Sequence, residues 1–212
     1  TQASSSAASD VYKRQHLNPS INPIVIPYGI EVPKILNDDK SNISTLGYLG
    51  KLNKNKGIED LIDVYEKLLK KENFNKLEPN LLIGGVGSKN YIRSINKRIS
   101  NKNIQFLGYV EDRYNFFNSI KVFIFPSYSE GLGLVLLEAM SHGVLCITRD
   151  VTPMNSIIKN GENGFLFKDN NELIEKIEKA INLNSSEKDK IVKSALEKIE
   201  KSYSIMQMYL SI

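Results

Sequence analysis

Two carboxylates are the residues of this chain whose types and spacing best suit chemistry. Glu130 and Glu138 stand eight positions apart on either side of the bend Gly131-Leu132-Gly133. An ionised carboxylate accepts hydrogen bonds at both oxygens, so it can grip a pair of neighbouring hydroxyls on a sugar or ribose ring. Across a helix start the two acids can face one crevice, Glu130 near its mouth and Glu138 about two turns down. The same spacing also fits an exposed helix residue at 138 and an acid at 130 favoured by the helix dipole. Spacing alone does not choose between these readings.

Positioning these groups requires a strand, a tight loop, a helix and a second strand, and Lys121–Arg149, KVFIFPSYSEGLGLVLLEAMSHGVLCITR, reads in that order. Val122–Phe125 is an apolar run stopped by Pro126, as expected of a parallel strand buried on both faces. Leu134–Met140 are helix formers closed by Gly143, and Val144–Thr148 is the next strand. Glycines 131 and 133 allow close approach of the backbone to a ligand. Upstream, Ser44–Leu49, Asn80–Gly85 and Asn103–Leu107 predict three more strands, with helices over about 57–71 and from the glycine turn through about Ser100. The fold class that follows is α/β, a doubly wound parallel sheet of Rossmann type. Ligands of such sheets bind outside the carboxyl ends of the strands, which places Ser127–Gly133 at the default site.

Gly84-Gly85-Val86-Gly87-Ser88 opens a helix and is expected to present free N–H groups to an anion or a ribose. No third glycine follows as far as Asn90, and no GK[ST] ending is present, which disfavours a nicotinamide dehydrogenase and a P-loop enzyme. With 212 residues, 41% hydrophobic and 25% charged, the chain is long enough for one domain or two small ones. A single cysteine, Cys146, excludes an intramolecular disulfide and a cysteine-rich metal site, and its apolar surroundings predict a buried structural thiol. The net charge of +4 is spread over scattered lysines, without the clustered basic face and interleaved aromatics that nucleic acid requires. No apolar run approaches the ~20 residues that span a membrane. A cytoplasmic location is the expectation, with peripheral contact at an acidic membrane surface open to a few lysines.

SEGLGLVLLEAMSHG, at Ser129–Gly143, resembles the E-x7-E signature of the retaining GT-B glycosyltransferases of family 4, and order along the chain resembles that family from about Ile24 to Phe167. The resemblance implies transfer of a sugar from a nucleotide diphosphate sugar to a glycan or lipid-linked acceptor with retention of anomeric configuration. It assigns Glu130 to the donor sugar, Glu138 to the ribose hydroxyls and the backbone of Gly131, Leu132, Gly133 and Leu134 to sugar and phosphates. Lys51 and Lys56, in GKLNKNKG, read in isolation as an exposed basic loop. That segment resembles GRLxxxKG, so the resemblance gives both lysines the neutralisation of the diphosphate, Lys51 without the two-pronged grip of an arginine. Gly50, Gly84, Gly85 and Gly87 are implied to face the donor, and Tyr109 and Val110, in LGYV, to read the base edge through their backbone. No cofactor is implied, and no metal is expected, because lysines stand where a divalent ion would act and no DxD-type cluster of carboxylates appears.

Departures from the family pattern fall at Tyr28, where an asparagine is usual, and at Ser156, where a glutamate is. Thr1–Gln15 reads as a non-domain segment, because it is small, polar and aperiodic, and DVYKRQ at Asp10–Gln15 resembles a translated sequencing-library adapter. The expectation is that the natural protein continues upstream. Residues 16–212 would then be its nucleotide-sugar-binding C-terminal half, with closing helices from about 171 and a final Tyr203–Ile212 segment left partly exposed. A chain of this kind can also act as a nucleotide-binding module without catalysis of its own.

Overall fold

Short runs of Leu, Ile, Val and Phe cut by Gly or Pro are too brief for helices, and six of them form one parallel sheet in the computed structural model, which describes residues 29–33 and 45–210. The strands are β1 Leu46–Leu49, β2 Leu81–Gly84, β3 Ile104–Gly108, β4 Val122–Phe125, β5 Leu145–Arg149 and β6 Phe165–Phe167. Their order is β3-β2-β1-β4-β5-β6, and every neighbouring pair runs parallel. This is the expected doubly wound α/β fold. Every residue of β1, β4 and β5 is buried, as continuous apolar strands covered on both faces should be, whereas the edge strand β3 is mostly exposed.

The connecting helices are α1 Ile58–Leu69, α2 Glu72–Asn75, α3 Lys89–Asn96, α4 Arg113–Asn118, α5 Leu134–Ser141 and α6 Met154–Ile157, followed by α7 Asn170–Asn182, α8 Ser185–Ser202 and α9 Ile205–Leu210. In α1 the buried stripe is Ile58, Leu61, Ile62, Val64, Tyr65 and Leu68, at helical spacing. α7 packs on α1 and on β4, β5 and β6, while α8 packs on α5 and β5. Under the middle of the sheet, Phe117 meets Phe123 edge to face at 5.7 Å. Cys146 is buried and its thiol donates to the Val144 carbonyl, in keeping with a structural role.

Several boundaries differ from the sequence reading for local reasons. The helix expected over 57–71 ends at Leu69, and a separate turn, α2, follows it. The helix expected through Ser100 ends at Asn96. α7 and α8 start at Asn170 and Ser185, three residues before the amphipathic spans Leu173–Leu183 and Lys188–Lys201 that apolar periodicity predicts, because Asp169 and Asn184 cap them through their side chains. Asn184 and Glu187 form a complete capping box, a signal present in the sequence as N-x-x-E. Met206 and Tyr209 of α9 are exposed, as expected of the closing segment. Ile24–Ile26, which the sequence also reads as a short strand, Tyr28 and the segment 1–15 lie outside the described residues.

Three tyrosines in and beside the core set the response to alkali. Tyr48 and Tyr65 are fully buried and donate to the carbonyls of Lys51 and Pro79. Burial pushes both phenols well above their usual range, with the Glu130 charge adding to the effect at Tyr48, and burial pushes Tyr91 up to about 12. A raised phenol favours the neutral form in the folded chain, so the stability it contributes is complete below the unfolded value of about 10 and is lost as pH rises beyond it. Urea midpoints are therefore expected to hold between pH 8 and 9.5 and to fall steeply from pH 10 to 12. A midpoint that stayed level across that upper interval would contradict this assignment.

Candidate active site

The direction of winding reverses between β1 and β4, which pair through Leu46 with Val122 and Gly47 with Phe123. The chain leaves β1 towards β2 and leaves β4 towards β5, so the loops beyond their carboxyl ends diverge and open a crevice. Lys56 comes from the β1 side, in a 3-10 turn over Lys54–Lys56, and Glu130 comes from the β4 side. The two side chains meet there, Lys56 Nζ donating to Glu130 Oε1 at 2.6 Å, with only 20% and 11% of their side chains exposed. Sequence reasoning singles out both residues but does not foresee that they pair.

Backbone contacts hold the two loops face to face. The Tyr128 N–H donates to the Asn55 carbonyl at 2.9 Å, and Gly57, at φ +66, lies so close that a Cβ there would be 2.3 Å from the Pro126 carbonyl oxygen. Only glycine fits at 57, because both the backbone angle and the space exclude a side chain. Two buried polar atoms without a protein partner among the described residues, Asn53 Oδ1 and Ser127 Oγ, belong to these same loops. Such atoms usually take water or ligand.

Beyond Glu130 the chain bends through Gly131, Leu132 and Gly133 into α5. Gly133, at φ +71, is the residue before the helix, so α5 begins only at Leu134 and Glu138 lies little more than one turn inside it. That is shallower than the two turns expected from the spacing. Among the described residues, none receives a hydrogen bond from the backbone N–H of Gly131, Leu132, Gly133 or Leu134. These donors stand at a helix N-terminus, where the dipole also favours negative charge. Gly131 faces open space, with nothing within 4 Å of a Cβ built on it.

The glycine turn after β2 is tied to its neighbours. The Gly50 N–H donates to the Gly84 carbonyl, the Leu52 N–H to the Val86 carbonyl and the Gly85 N–H to the Gly108 carbonyl, so of the turn's own donors that of Gly85 is spent on joining loops, while those of Val86 and Gly87 meet no backbone acceptor among the described residues. A Cβ at Gly85 or Gly87 would collide with backbone, the Gly50 and Leu52 carbonyls respectively, whereas one at Gly84 would press on the side-chain ends of Val110 and Leu49. The side chain of Ser88, to which the sequence reading gives no role, caps α3 by accepting from the Tyr91 N–H.

The remaining candidates are dispersed around the crevice. Lys51 is exposed and makes no ion pair among the described residues, though its carbonyl accepts from Tyr48. Tyr109 projects into solvent, while Val110 is half-buried and packs against Gly84. Glu138 is engaged by Arg113, whose Nη1 donates to both carboxylate oxygens at 2.7 and 2.6 Å. No sequence signal points to Arg113, which opens α4 on a separate loop.

A second arginine missed by sequence reasoning lies beneath the loop that carries Glu130. Arg149, the last residue of β5, is buried and donates from Nε to the Pro126 carbonyl at 3.0 Å. Its Nη1 reaches the Lys168 carbonyl at 3.0 Å and its Nη2 the Asp60 carboxylate at 2.7 Å. Asp60 also accepts the Tyr128 hydroxyl, and that bond holds the phenol above its usual range.

Taken as chemistry, the crevice offers a cation, a carboxylate and free helix-end amides converging at the switch point of the sheet, a set suited to a ligand with both hydroxyls and phosphates. Residues 32–198 match the family model described as Glycosyl transferases group 1. The chain is 34% identical over 175 residues to the capsular polysaccharide biosynthesis glycosyltransferase CapM of Staphylococcus aureus, covering 81% of this chain and 44% of that protein. It spans about half the length of the curated relatives it matches. Among solved structures, a point mutant of S. aureus TarM in complex with Fondaparinux, alpha-GlcNAc-glycerol and UDP superposes with a TM-score of 0.77 at 23% identity, over 96% of this chain and 41% of TarM. The C-terminal domain of the glycosyl transferase group 1 family protein LpcC from Francisella tularensis superposes with a TM-score of 0.67 at 21% identity, over 76% of this chain and 86% of that domain. At such identities the superpositions speak for the fold alone, but the family match covers most of the sequence, and the chain belongs to the glycosyl transferases group 1 family.

Proposed function

We propose that this chain is the donor-binding, C-terminal half of a retaining glycosyltransferase of family 4 type, taking a nucleotide diphosphate sugar as donor and passing the sugar to a glycan or lipid-linked acceptor. The observation that carries the reading is the meeting of Lys56 and Glu130 beside the free N–H groups of Gly131–Leu134, at the carboxyl ends of β1 and β4. The diphosphate would lie against Lys51, Lys56 and the α5 amides, with the sugar on Glu130, the ribose on Glu138 and the base edge at the backbone of Tyr109 and Val110. As the bond to the anomeric carbon breaks, charge grows on the departing diphosphate, and fixed cations and oriented amides stabilise that charge more than they stabilise the bound donor. The reading asks for no metal ion.

Support for the half-molecule reading comes from the share of the relatives that is covered and from the likeness to an isolated C-terminal domain. The acceptor would then be held by a partner half, and this chain alone would bind a donor without transferring its sugar. Among the described residues no helix is long and apolar enough to cross a membrane, and work at the cytoplasmic face on a lipid-linked acceptor belongs to the same proposal.

Calorimetry on the 212-residue chain with UDP, GDP and ADP, followed by a donor-hydrolysis assay, tests the reading. One nucleoside diphosphate should bind at least tenfold more tightly than its parent nucleoside, and Lys56→Met should remove most of that difference. A phosphate-independent affinity, or none for any of the three, would sink it.

A further inference from the structure

Arg149 is a buried cation that the proposed chemistry does not use. A buried guanidinium is costly unless its donors are paired, and an apolar side chain of similar volume is often as stable in such a place. Its three nitrogens reach three segments far apart in sequence: Pro126 at the exit of β4, Lys168 beyond β6 and Asp60 in the first turn of α1. No aliphatic side chain could tie these together, and a lysine has only one nitrogen to do so.

The guanidinium also lies over the ring of Tyr128 at 4.1 Å and that of Phe167 at 4.9 Å. Tyr128 is half-exposed yet tethered at three points: its ring on Arg149, its hydroxyl on Asp60 and its N–H on the Asn55 carbonyl. Asn55 directly precedes Lys56, and Tyr128 is two residues before Glu130. The tether therefore joins the two crevice loops immediately beside the residues that pair across it.

We propose that Arg149 is a positioning residue, clamping Pro126–Tyr128 against Asp60 and Lys168 so that Glu130 and Lys56 are held at a fixed separation for the donor sugar. The proposal rests on the reading of Glu130 given above. Arg149 does not itself touch the donor. The clamp sets how well the sugar is recognised, while contacts to the nucleotide, made from α5 and the β3 exit, are left largely intact.

The test uses the 212-residue chain with Arg149→Met, Arg149→Lys and Tyr128→Ala. Hydrogen exchange at the backbone amide of residue 128 reads the tether, exchange in β2 and α8 reads the rest of the fold, and calorimetry compares UDP-glucose, GDP-mannose and ADP-glucose with the matching nucleoside diphosphates. Arg149→Met should speed exchange at residue 128 at least tenfold more than it does in β2 or α8. The same variant should lower the preference for the sugar donor that binds over its nucleoside diphosphate about tenfold, with Arg149→Lys in between. Tyr128→Ala, at a half-exposed position where folding is not at risk, should show the same local loss if Arg149→Met does not fold. Uniform acceleration across β2, α8 and residue 128, or an unchanged tether in Tyr128→Ala, overturns the clamp. Wild-type chain that holds none of UDP-glucose, GDP-mannose and ADP-glucose better than the matching nucleoside diphosphate refutes the Glu130 reading instead, and the exchange data still decide whether Arg149 fixes the loop.

Discussion

Assayed together with an acceptor-binding half, the Glu130→Gln chain is expected to transfer sugar about 10²–10³ times more slowly than the wild type, the loss typical of one transition-state contact. The replacement keeps the size of the side chain and removes its charge, so Lys56 loses its ionic partner at 2.6 Å while the loop retains its other tethers. If the pair served only to join the loops, the variant would melt earlier and transfer normally once folded. If Glu130 meets the sugar, affinity for the bare nucleoside diphosphate should persist, or rise slightly as Lys56 is released, while turnover collapses. Cys146→Ala provides the control, because that thiol is buried in β5, away from the crevice loops, and should leave turnover unchanged. Wild-type transfer by Glu130→Gln would end the proposed assignment.

Gly85→Ala is expected to destabilise the chain by about 4 kcal/mol, from strain of about 1–3 kcal/mol and the weakening of neighbouring backbone hydrogen bonds worth about 1 kcal/mol each. At φ +138 the backbone conformation disfavours any side chain, and the added Cβ would stand 1.7 Å from the Gly50 carbonyl oxygen, a backbone atom that cannot swing away. Relief requires the loops after β1 and β2 to separate, which weakens the bonds from Gly50 to Gly84, Leu52 to Val86 and Gly85 to Gly108. In a chain of this size that loss lowers the melting midpoint by roughly 8–16 °C. Gly131→Ala should behave in the opposite way, with near wild-type stability, because its Cβ would enter open space, and weaker donor binding, because that space borders the free amides. Equal stability losses at the two glycines, measured by urea unfolding, would show that the distinction drawn between them is wrong.

The contrast between those glycines marks where reading along the chain stops. Both sit in glycine-rich turns after strands, and in both the sequence predicts close approach to a ligand. A glycine's neighbours in such a turn are set by how the adjacent strands register, and that register brings Gly50 against Gly85 from 35 residues away. By contrast, the strands themselves are legible, because a four-residue apolar run between breakers has few other outcomes, and β4 matches its expected span of Val122–Phe125. Helix starts are legible in principle through Asp169 and the Asn184–Glu187 box, but apolar periodicity alone places them late, because it ignores the capping turn.

From sequence alone came the strand and helix pattern, hence the doubly wound sheet, since these depend on local composition and short spacings, while the resemblance of two short motifs to a known family marks Glu130, Glu138 and Lys56 as groups to watch. Tertiary structure decided who meets whom. It paired Lys56 with Glu130 across 74 residues, tied Arg149 to Asp60 across 89 and set Arg113 on Glu138 across 25. It also left the amides before α5 free and spent those of Gly50, Leu52 and Gly85 on joining the loops after β1 and β2. The physical reason is that a side chain or N–H finds its partner among whatever the sheet order brings within about 3 Å, and the order β3-β2-β1-β4-β5-β6 joins segments whose proximity no local pattern encodes.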